Sequence, residues 1–291
     1  MLSWHNRRAL AGLLFVLPTW LAWLFWTLGP AVSTLGVSLS SWNLVQPPKL
    51  VGLSNYARLV GDPILLLSLR NSLIYSFVFV PIGVVTALCL AILIDGRTRL
   101  REYYRVAYFL PVVTSAAATS ILWRWLYQPS VGLINTALGL VGISGPSWLN
   151  DPETALLSVG IMGIWQELGF LIVLFLAGLQ SIPPSLHEAA SIDGANPLQR
   201  VWYLTVPLLR PTALFVSVVS MAGAFQVFVQ IFIMTKGGPA YASSVLAYYL
   251  YVNAFQRFEM GYAAAIAVVI FLLVLTITLV QLKLFRQAEA D

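Results

Sequence analysis

The chain has 291 residues, of which 59% are hydrophobic and 9% charged, against ~25% charged in a typical soluble domain; so little polar surface excludes a water-soluble globule and makes the bilayer the natural solvent. The formal net charge of +5 rests on sixteen Lys and Arg set in short groups between apolar runs, which excludes the one-sided basic face of a nucleic-acid binder and reports membrane orientation instead. The single cysteine, Cys89, lies within an apolar run, so it forms no internal disulfide and belongs to no metal-ligand spacing.

A helix needs ~20 mostly apolar residues to cross the hydrocarbon, and six segments meet that length. In chain order they are about 9–39, 66–95, 105–127, 154–180, 208–235 and 260–284. The first follows Arg7 and Arg8 and resembles a signal peptide. Its apolar run is too long for a cleaved leader, which predicts an uncleaved first span. Pro18, Pro30, Pro81 and Pro111 fall inside the first three spans and predict local kinks.

Three connections fall on one side of the membrane. The first, 40–65, contains Gly52-Leu53-Ser54-Asn55-Tyr56, the expected start of a short surface helix. The second, 128–153, has no basic residue. The third, 236–259, opens with Gly237-Gly238-Pro239, which stops a helix. Its Tyr248-Tyr249-Leu250-Tyr251 suits an interfacial aromatic belt.

Basic residues set the orientation. Arg7, Arg8, Arg97, Arg99, Arg101, Arg105, Arg200, Arg210, Lys283 and Arg286 share one side. Lys49, Arg58, Arg70, Arg124, Lys236 and Arg257 share the other. The richer side is cytoplasmic, with both termini inside. The fold expected is therefore an all-α, polytopic membrane protein with a single transmembrane domain over residues 1–291.

One cytoplasmic loop, about 183–200, stands apart. Pro183 and Pro184 end the fourth span. Ser185 lies three residues before Glu188, the spacing of a capping box. A short helix over residues 186–193 is then expected, ~12 Å long at 1.5 Å per residue, closed by Gly194 at positive φ. Asn196 is placed to cap a second helix with Pro197 at its first position. The short helix offers small side chains, Ala189, Ala190 and Ser191, with Ala195 just beyond. That surface suits either insertion into a partner's groove or a rigid hairpin between two spans.

The stretch Glu188-Ala189-Ala190-Ser191-Ile192-Asp193-Gly194-Ala195, followed by Trp202-Tyr203-Leu204-Thr205-Val206-Pro207, resembles the Glu-Ala-Ala loop of bacterial ABC importer permeases. Val206 replaces the usual Leu before the proline. The Asp193-Gly194-Ala195 form is similar to the carbohydrate branch, of the maltose and glycerol-3-phosphate permease type. Tyr108-Phe109-Leu110-Pro111, Leu176-Ala177-Gly178-Leu179-Gln180-Ser181-Ile182-Pro183, Thr235-Lys236-Gly237-Gly238-Pro239 and Gly261-Tyr262-Ala263-Ala264-Ala265 extend the resemblance over about residues 9–286. It implies a type I importer permease fold in a bacterial inner membrane. Glu188, Ala189, Ala190, Ser191, Asp193, Gly194 and Ala195 would form a coupling helix docked on an ATPase. A second permease subunit, two ATPase subunits and an external solute-binding protein would complete the assembly. ATP and Mg would be bound by the partners, with no cofactor or metal in this chain.

An ionisable residue inside a span marks function by default. Glu167 is the only carboxylate well inside one, with a solute path or an interhelical pairing with Arg124 as its two roles. Gln226 and Gln230 are four apart and expected on one helix face, where their amides suit hydroxyl-rich solutes or join helices. No Gly-rich phosphate loop with Lys and Ser/Thr is present, and His5 and His187 stand in no nucleophile arrangement. A transport subunit that performs no chemistry itself is the function expected, moving a sugar or sugar-like solute. An ion-coupled secondary transporter is the alternative, but it calls for paired carboxylates or two repeated halves with broken helices.

Overall fold

The structure, a computed structural model, describes residues 4–95 and 108–288. In chain order it contains α1 (Trp4–Trp23), α2 (Gly29–Ser38), β1 (Ser40–Ser41), β2 (Lys49–Leu50), α3 (Ser54–Gly61), α4 (Pro63–Ile74) and α5 (Val80–Asp95). There follow α6 (described over 108–113), α7 (Ala116–Leu126), α8 (Leu133–Leu140) and α9 (Ala155–Gln180). The chain closes with α10 (Pro184–Ile192), α11 (Pro197–Arg200), α12 (Val206–Leu208), α13 (Arg210–Ala224), α14 (Val229–Met234), α15 (Leu246–Tyr251) and α16 (Met260–Ala288). The described residues are all-α apart from the small β1–β2 pair, in which Ser40 faces Leu50 and Ser41 faces Lys49.

Proline shapes the long helices in one recurring way. Wide, π-type turns at Leu24–Leu28, Tyr75–Phe79 and Val201–Thr205 each end two residues before a proline: Pro30, Pro81 and Pro207. A proline ring collides with the carbonyl four residues back and offers no N–H. That carbonyl belongs to Trp26, Phe77 or Tyr203, inside the wide turn in each case. Opening the turn moves it off the ring, so the helix passes the proline with a local adjustment.

Among the described residues, four helices are long and apolar enough to cross a membrane: Gly12–Ser38, Pro63–Asp95, Ala155–Gln180 and Met260–Phe285. A fifth results if Pro197–Leu208 and Arg210–Ala224, bent by 65°, form one span. The expected span over 105–127 begins outside the described residues. Within it α6 stops at residue 113, and Ser115 caps α7 by accepting the Ala117 N–H at 3.3 Å. Arg97, Arg99, Arg101 and Arg105, four of the residues behind the orientation, also lie outside the described residues.

The chain divides into two compact units. One comprises Met1–Asp62 and Leu250–Phe271. Its residues 12–33 are exposed and largely apolar, the surface a lipid or a membrane partner requires. Here two distant sequence stretches meet. Asn55 Nδ2 donates to the Ser38 and Ser40 carbonyls at 2.8 and 2.9 Å. The Met260 N–H donates to the Trp42 carbonyl at 2.9 Å. A Cβ at Gly261 would strike the Ser40 carbonyl. Arg58 pairs with Glu259 at 2.8 Å and covers the Tyr262 ring, while the Tyr262 hydroxyl donates to Asp62 at 2.6 Å.

The other unit comprises Pro63–Tyr249 and Leu272–Asp291. Its core joins Ala87 and Ala91 of α5, Ile172 and Phe175 of α9, Leu209, and Val216 of α13. Helix packing in lipid rests on van der Waals fit, with small residues at the contacts. Gly160 and Gly178 supply the notches on α9: a Cβ there would press into the Phe79 ring or the Thr212 side chain.

Candidate functional site

The expected loop forms a rigid elbow. α10 starts at Pro184, two residues before the predicted start, and its N-cap is Pro183, with no side-chain cap. The predicted Ser185–Glu188 capping box is therefore corrected. A residue before proline is held extended, as the Pro183 ψ of 129° shows, and Pro184 has the φ of a first helical residue. The two prolines begin the helix, and Ser185 falls inside the first turn.

The helix ends as the glycine predicted. Gly194 has φ +82°, and the Ala195 N–H reaches the Ala190 carbonyl at 2.9 Å while the Gly194 N–H reaches Ser191 at 3.2 Å. This is a Schellman end, which returns orphan carbonyls to partners. Asn196 then caps α11. Its Oδ1 accepts the Gln199 N–H at 2.9 Å, and Gln199 Oε1 accepts the Asn196 N–H at 2.9 Å. Arg200 Nη1 donates to Ser191 Oγ at 2.7 Å and ties the second helix back to the first. Sequence reasoning found the Asn196 cap but missed Gln199 as its reciprocal partner and the Arg200 tie. The Asn-Pro-x-Gln spacing carried the first of these.

The elbow buries none of its α10 residues. Glu188, Ala189, Ser191, Asp193 and Gly194 are exposed, and Ala190 and Ala195 half-buried. Apolar side chains are exposed as well, Ile192 at 86% and Tyr203 at 82%, with Leu198 and Trp202 beside them in sequence. A groove of about 470 Å³ runs between Ala190, Asp193, Gly194 and Tyr203. Capped helices presenting apolar groups to solvent have the make-up of a partner surface.

Of the three polar residues predicted for the membrane interior, two do not share the helix face expected of them. Gln226 and Gln230 do not share a helix face. α13 ends at Ala224 and α14 begins at Val229, so Gln226 lies in the break. The reason is packing: Phe225 and Val227 are both buried while Gln226 between them is exposed, an alternation that a helix does not provide. Gln226 Nε2 donates to the Ala222 carbonyl at 3.1 Å. Gln230 finds a partner from another helix, donating to Gln166 Oε1 at 3.4 Å. Gln166 thus supplies a hydrogen bond between α9 and α14.

Glu167 stands mid-way along α9 with its side chain exposed. No ion pair joins it to Arg124 among the described residues. It lines a small cavity of about 20 Å³ with Tyr75 and Ser220, room for roughly one water. Ser220 Oγ is buried there with no hydrogen-bond partner among the described residues.

Helices of membrane-crossing length, a core built on glycine notches and an exposed elbow define a polytopic membrane protein. Residues 71–288 match the family described as binding-protein-dependent transport system inner membrane component, and the chain belongs to that family. It is 34% identical to the probable ABC transporter permease protein YurN of Bacillus subtilis, over 98% of this chain and 99% of that one. It is 32% identical to the trehalose/maltose transport system permease protein MalF of Thermococcus litoralis, over 96% and 95%. A bacterial ABC transporter that imports the acidic polysaccharide alginate has a chain of the same fold, with a TM-score of 0.85 at 24% identity and 98% of both chains covered. The all-α importer permease fold expected from the sequence is the fold found, and the protein is a multi-pass inner-membrane permease subunit.

Proposed function

We propose that this chain forms half of the passage of an ATP-driven importer for a sugar or sugar-like solute, with the elbow of α10 and α11 as its joint to a cytosolic ATPase. The observation that carries this reading is the elbow itself. The C-terminal end of α10 and the N-terminal end of α11 are both closed by hydrogen bonds, Arg200 ties the two helices and apolar side chains are exposed, so the elbow transmits displacement rather than absorbing it. Glu188, Ala189, Ala190, Ser191, Asp193, Gly194 and Ala195 make up the docking face, with Ile192 added. ATP and Mg sit on two partner ATPases, a second permease completes the passage, and an external binding protein delivers the solute. Both termini and the elbow face the cytoplasm.

Closure of the ATPases on ATP draws the elbows together and opens the passage outward; hydrolysis returns it inward. The elbow and the solute path are then linked sites whose coupling is reciprocal. Glu167, Gln166, Gln230 and Gln226 are the polar groups of the path. Amide and carboxylate groups at membrane depth offer donors and acceptors that match sugar hydroxyls. The similarity to a trehalose/maltose permease supports the saccharide class.

Reconstitution tests the reading. The permease pair, the ATPases and the binding protein are placed in proteoliposomes, and ATP hydrolysis is measured against a panel of sugars. Stimulation by at least one saccharide, dependent on the binding protein, is expected. ATP hydrolysis that ignores every saccharide and the binding protein refutes it.

A further inference from the structure

The stretch Thr235-Lys236-Gly237-Gly238-Pro239 serves neither the elbow nor the Gln166–Gln230 contact, yet its backbone is held in an unfavourable shape. Lys236, Ala240 and Tyr241 have φ of +52°, +47° and +63°, a region that side chains with a Cβ avoid. Such a shape persists only where its surroundings over-determine it, and it marks functional loops. The hold is visible. Ser243 Oγ, fully buried, stands 2.6 Å from the Gly238 carbonyl and 2.7 Å from Thr235 Oγ1. Thr235 Oγ1 accepts the Gly237 N–H at 3.3 Å. From α4, Asn71 Nδ2 donates to the Ser244 and Tyr241 carbonyls at 2.9 and 3.1 Å, and Ser72 Oγ accepts the Leu246 N–H at 2.9 Å.

This loop walls a cleft of about 410 Å³ whose lining includes Lys236, Thr235, Arg124, Gln128 and Asn150, and no carboxylate. Its size is that of a small-ligand site. The opposite wall is equally fixed. Arg124 is in the last turn of α7, beside Tyr127, whose ring packs on Trp123 and Trp148 and whose hydroxyl donates to the Ser158 carbonyl at 3.0 Å. Asp151, next to Asn150, is not part of the lining; its Oδ1 accepts the Glu153 N–H at 2.9 Å. Arg124 and Lys236 are both exposed and both line the cleft, so two cations stand at a polar cleft with amide and hydroxyl donors and no carboxylate in its lining. That set complements an anion, with the guanidinium able to grip a carboxylate or phosphate by two bonds.

We propose that this cleft is an anion-recognising subsite, in which Arg124 and Lys236 take the carboxylate, sulfonate or phosphate of an acidic saccharide. The proposal rests on the reading of the chain as a saccharide importer permease and specifies the charge of its cargo.

The test uses the complete permease–ATPase complex in lipid nanodiscs, with tryptophan fluorescence as the readout because Trp123 and Trp148 pack on Tyr127 at the cleft. The probes are glucuronate and a diglucuronide, against glucose and maltose. The acidic probes are expected to bind more tightly than the neutral ones. Arg124→Gln and Lys236→Gln are each expected to weaken acidic binding by about tenfold or more, the worth of one charge-assisted hydrogen bond, with neutral probes unaffected. Arg124→Lys is expected to recover part of the loss. Equal binding of acidic and neutral probes, or unchanged affinity in both variants, overturns the proposal. A second arm measures ATP hydrolysis with the binding protein at saturating solute. Variants that lose stimulation there while keeping uronate affinity assign the two cations to the binding protein and also overturn it. A wild-type complex stimulated by neutral saccharides alone keeps the importer reading and removes only the anionic subsite.

Discussion

Gly194 is the residue on which the elbow of α10 and α11 turns, and a graded series at that position measures what the turn contributes. Its φ of +82° is left-handed, and a Cβ added there meets nothing within 4 Å. The cost of Gly194→Ala is therefore conformational alone, about 1–2 kcal/mol for a Cβ-bearing residue in that region. Asn tolerates the region better, so Gly194→Asn costs less. Gly194→Pro is worse on two counts: φ is locked near −65°, and the N–H that reaches Ser191 is lost, for about 3 kcal/mol or more by analogy with a helix interior. If the ATPase binds only the ordered elbow, affinity falls about 5- to 30-fold for Ala and over 100-fold for Pro. The assay titrates purified ATPase subunit against each permease variant in nanodiscs, with membrane yield as the control for insertion. The expected order of affinity is Gly, Asn, Ala, Pro. Wild-type affinity in the Ala and Pro variants, or Asn weaker than Ala, refutes the argument from backbone conformation.

Three further outcomes follow from the same structure. Glu188 is exposed on α10, so Glu188→Arg should change the permease's own stability by less than about 0.5 kcal/mol while weakening ATPase co-purification; undiminished co-purification and transport would remove Glu188 from the docking face. Glu167→Gln should alter the KM for uptake by a few-fold, the effect of one hydrogen bond of about 1 kcal/mol, and an unchanged KM and rate would return it to helix packing. Gly261→Ala should lower the unfolding temperature in detergent by overpacking worth about 1–3 kcal/mol, because its Cβ meets the Ser40 backbone, which has no rotamer to move; an unshifted transition would mean that this contact is loose.

The elbow was legible because its signals are local. Gly194, Asn196 and Pro197 act within one turn of themselves, and each sits where the sequence placed it. The Ser185–Glu188 box failed for a local reason too: Pro183 and Pro184 set the backbone before any side chain could cap it. The arrangement of the polar residues expected in the membrane interior was less legible. The period of Gln226 and Gln230 reads as helical, but whether the helix continues depended on Phe225 and Val227 finding burial on both sides of Gln226. Nothing near Gln230 in sequence names Gln166, which lies 64 residues away.

By itself the sequence determined the solvent, the long apolar helices Gly12–Ser38, Pro63–Asp95, Ala155–Gln180 and Met260–Phe285, and the Gly194 and Asn196 caps of the elbow, since these follow from hydrophobicity counted along the chain and from backbone preferences of single residues. Only the tertiary structure decided where helices break and which distant groups meet. Asn71 locks a loop 170 residues away, and Gly261 makes room for the Ser40 carbonyl. Such pairings are set by packing in three dimensions, where van der Waals fit and the pairing of every buried polar group outweigh local periodicity.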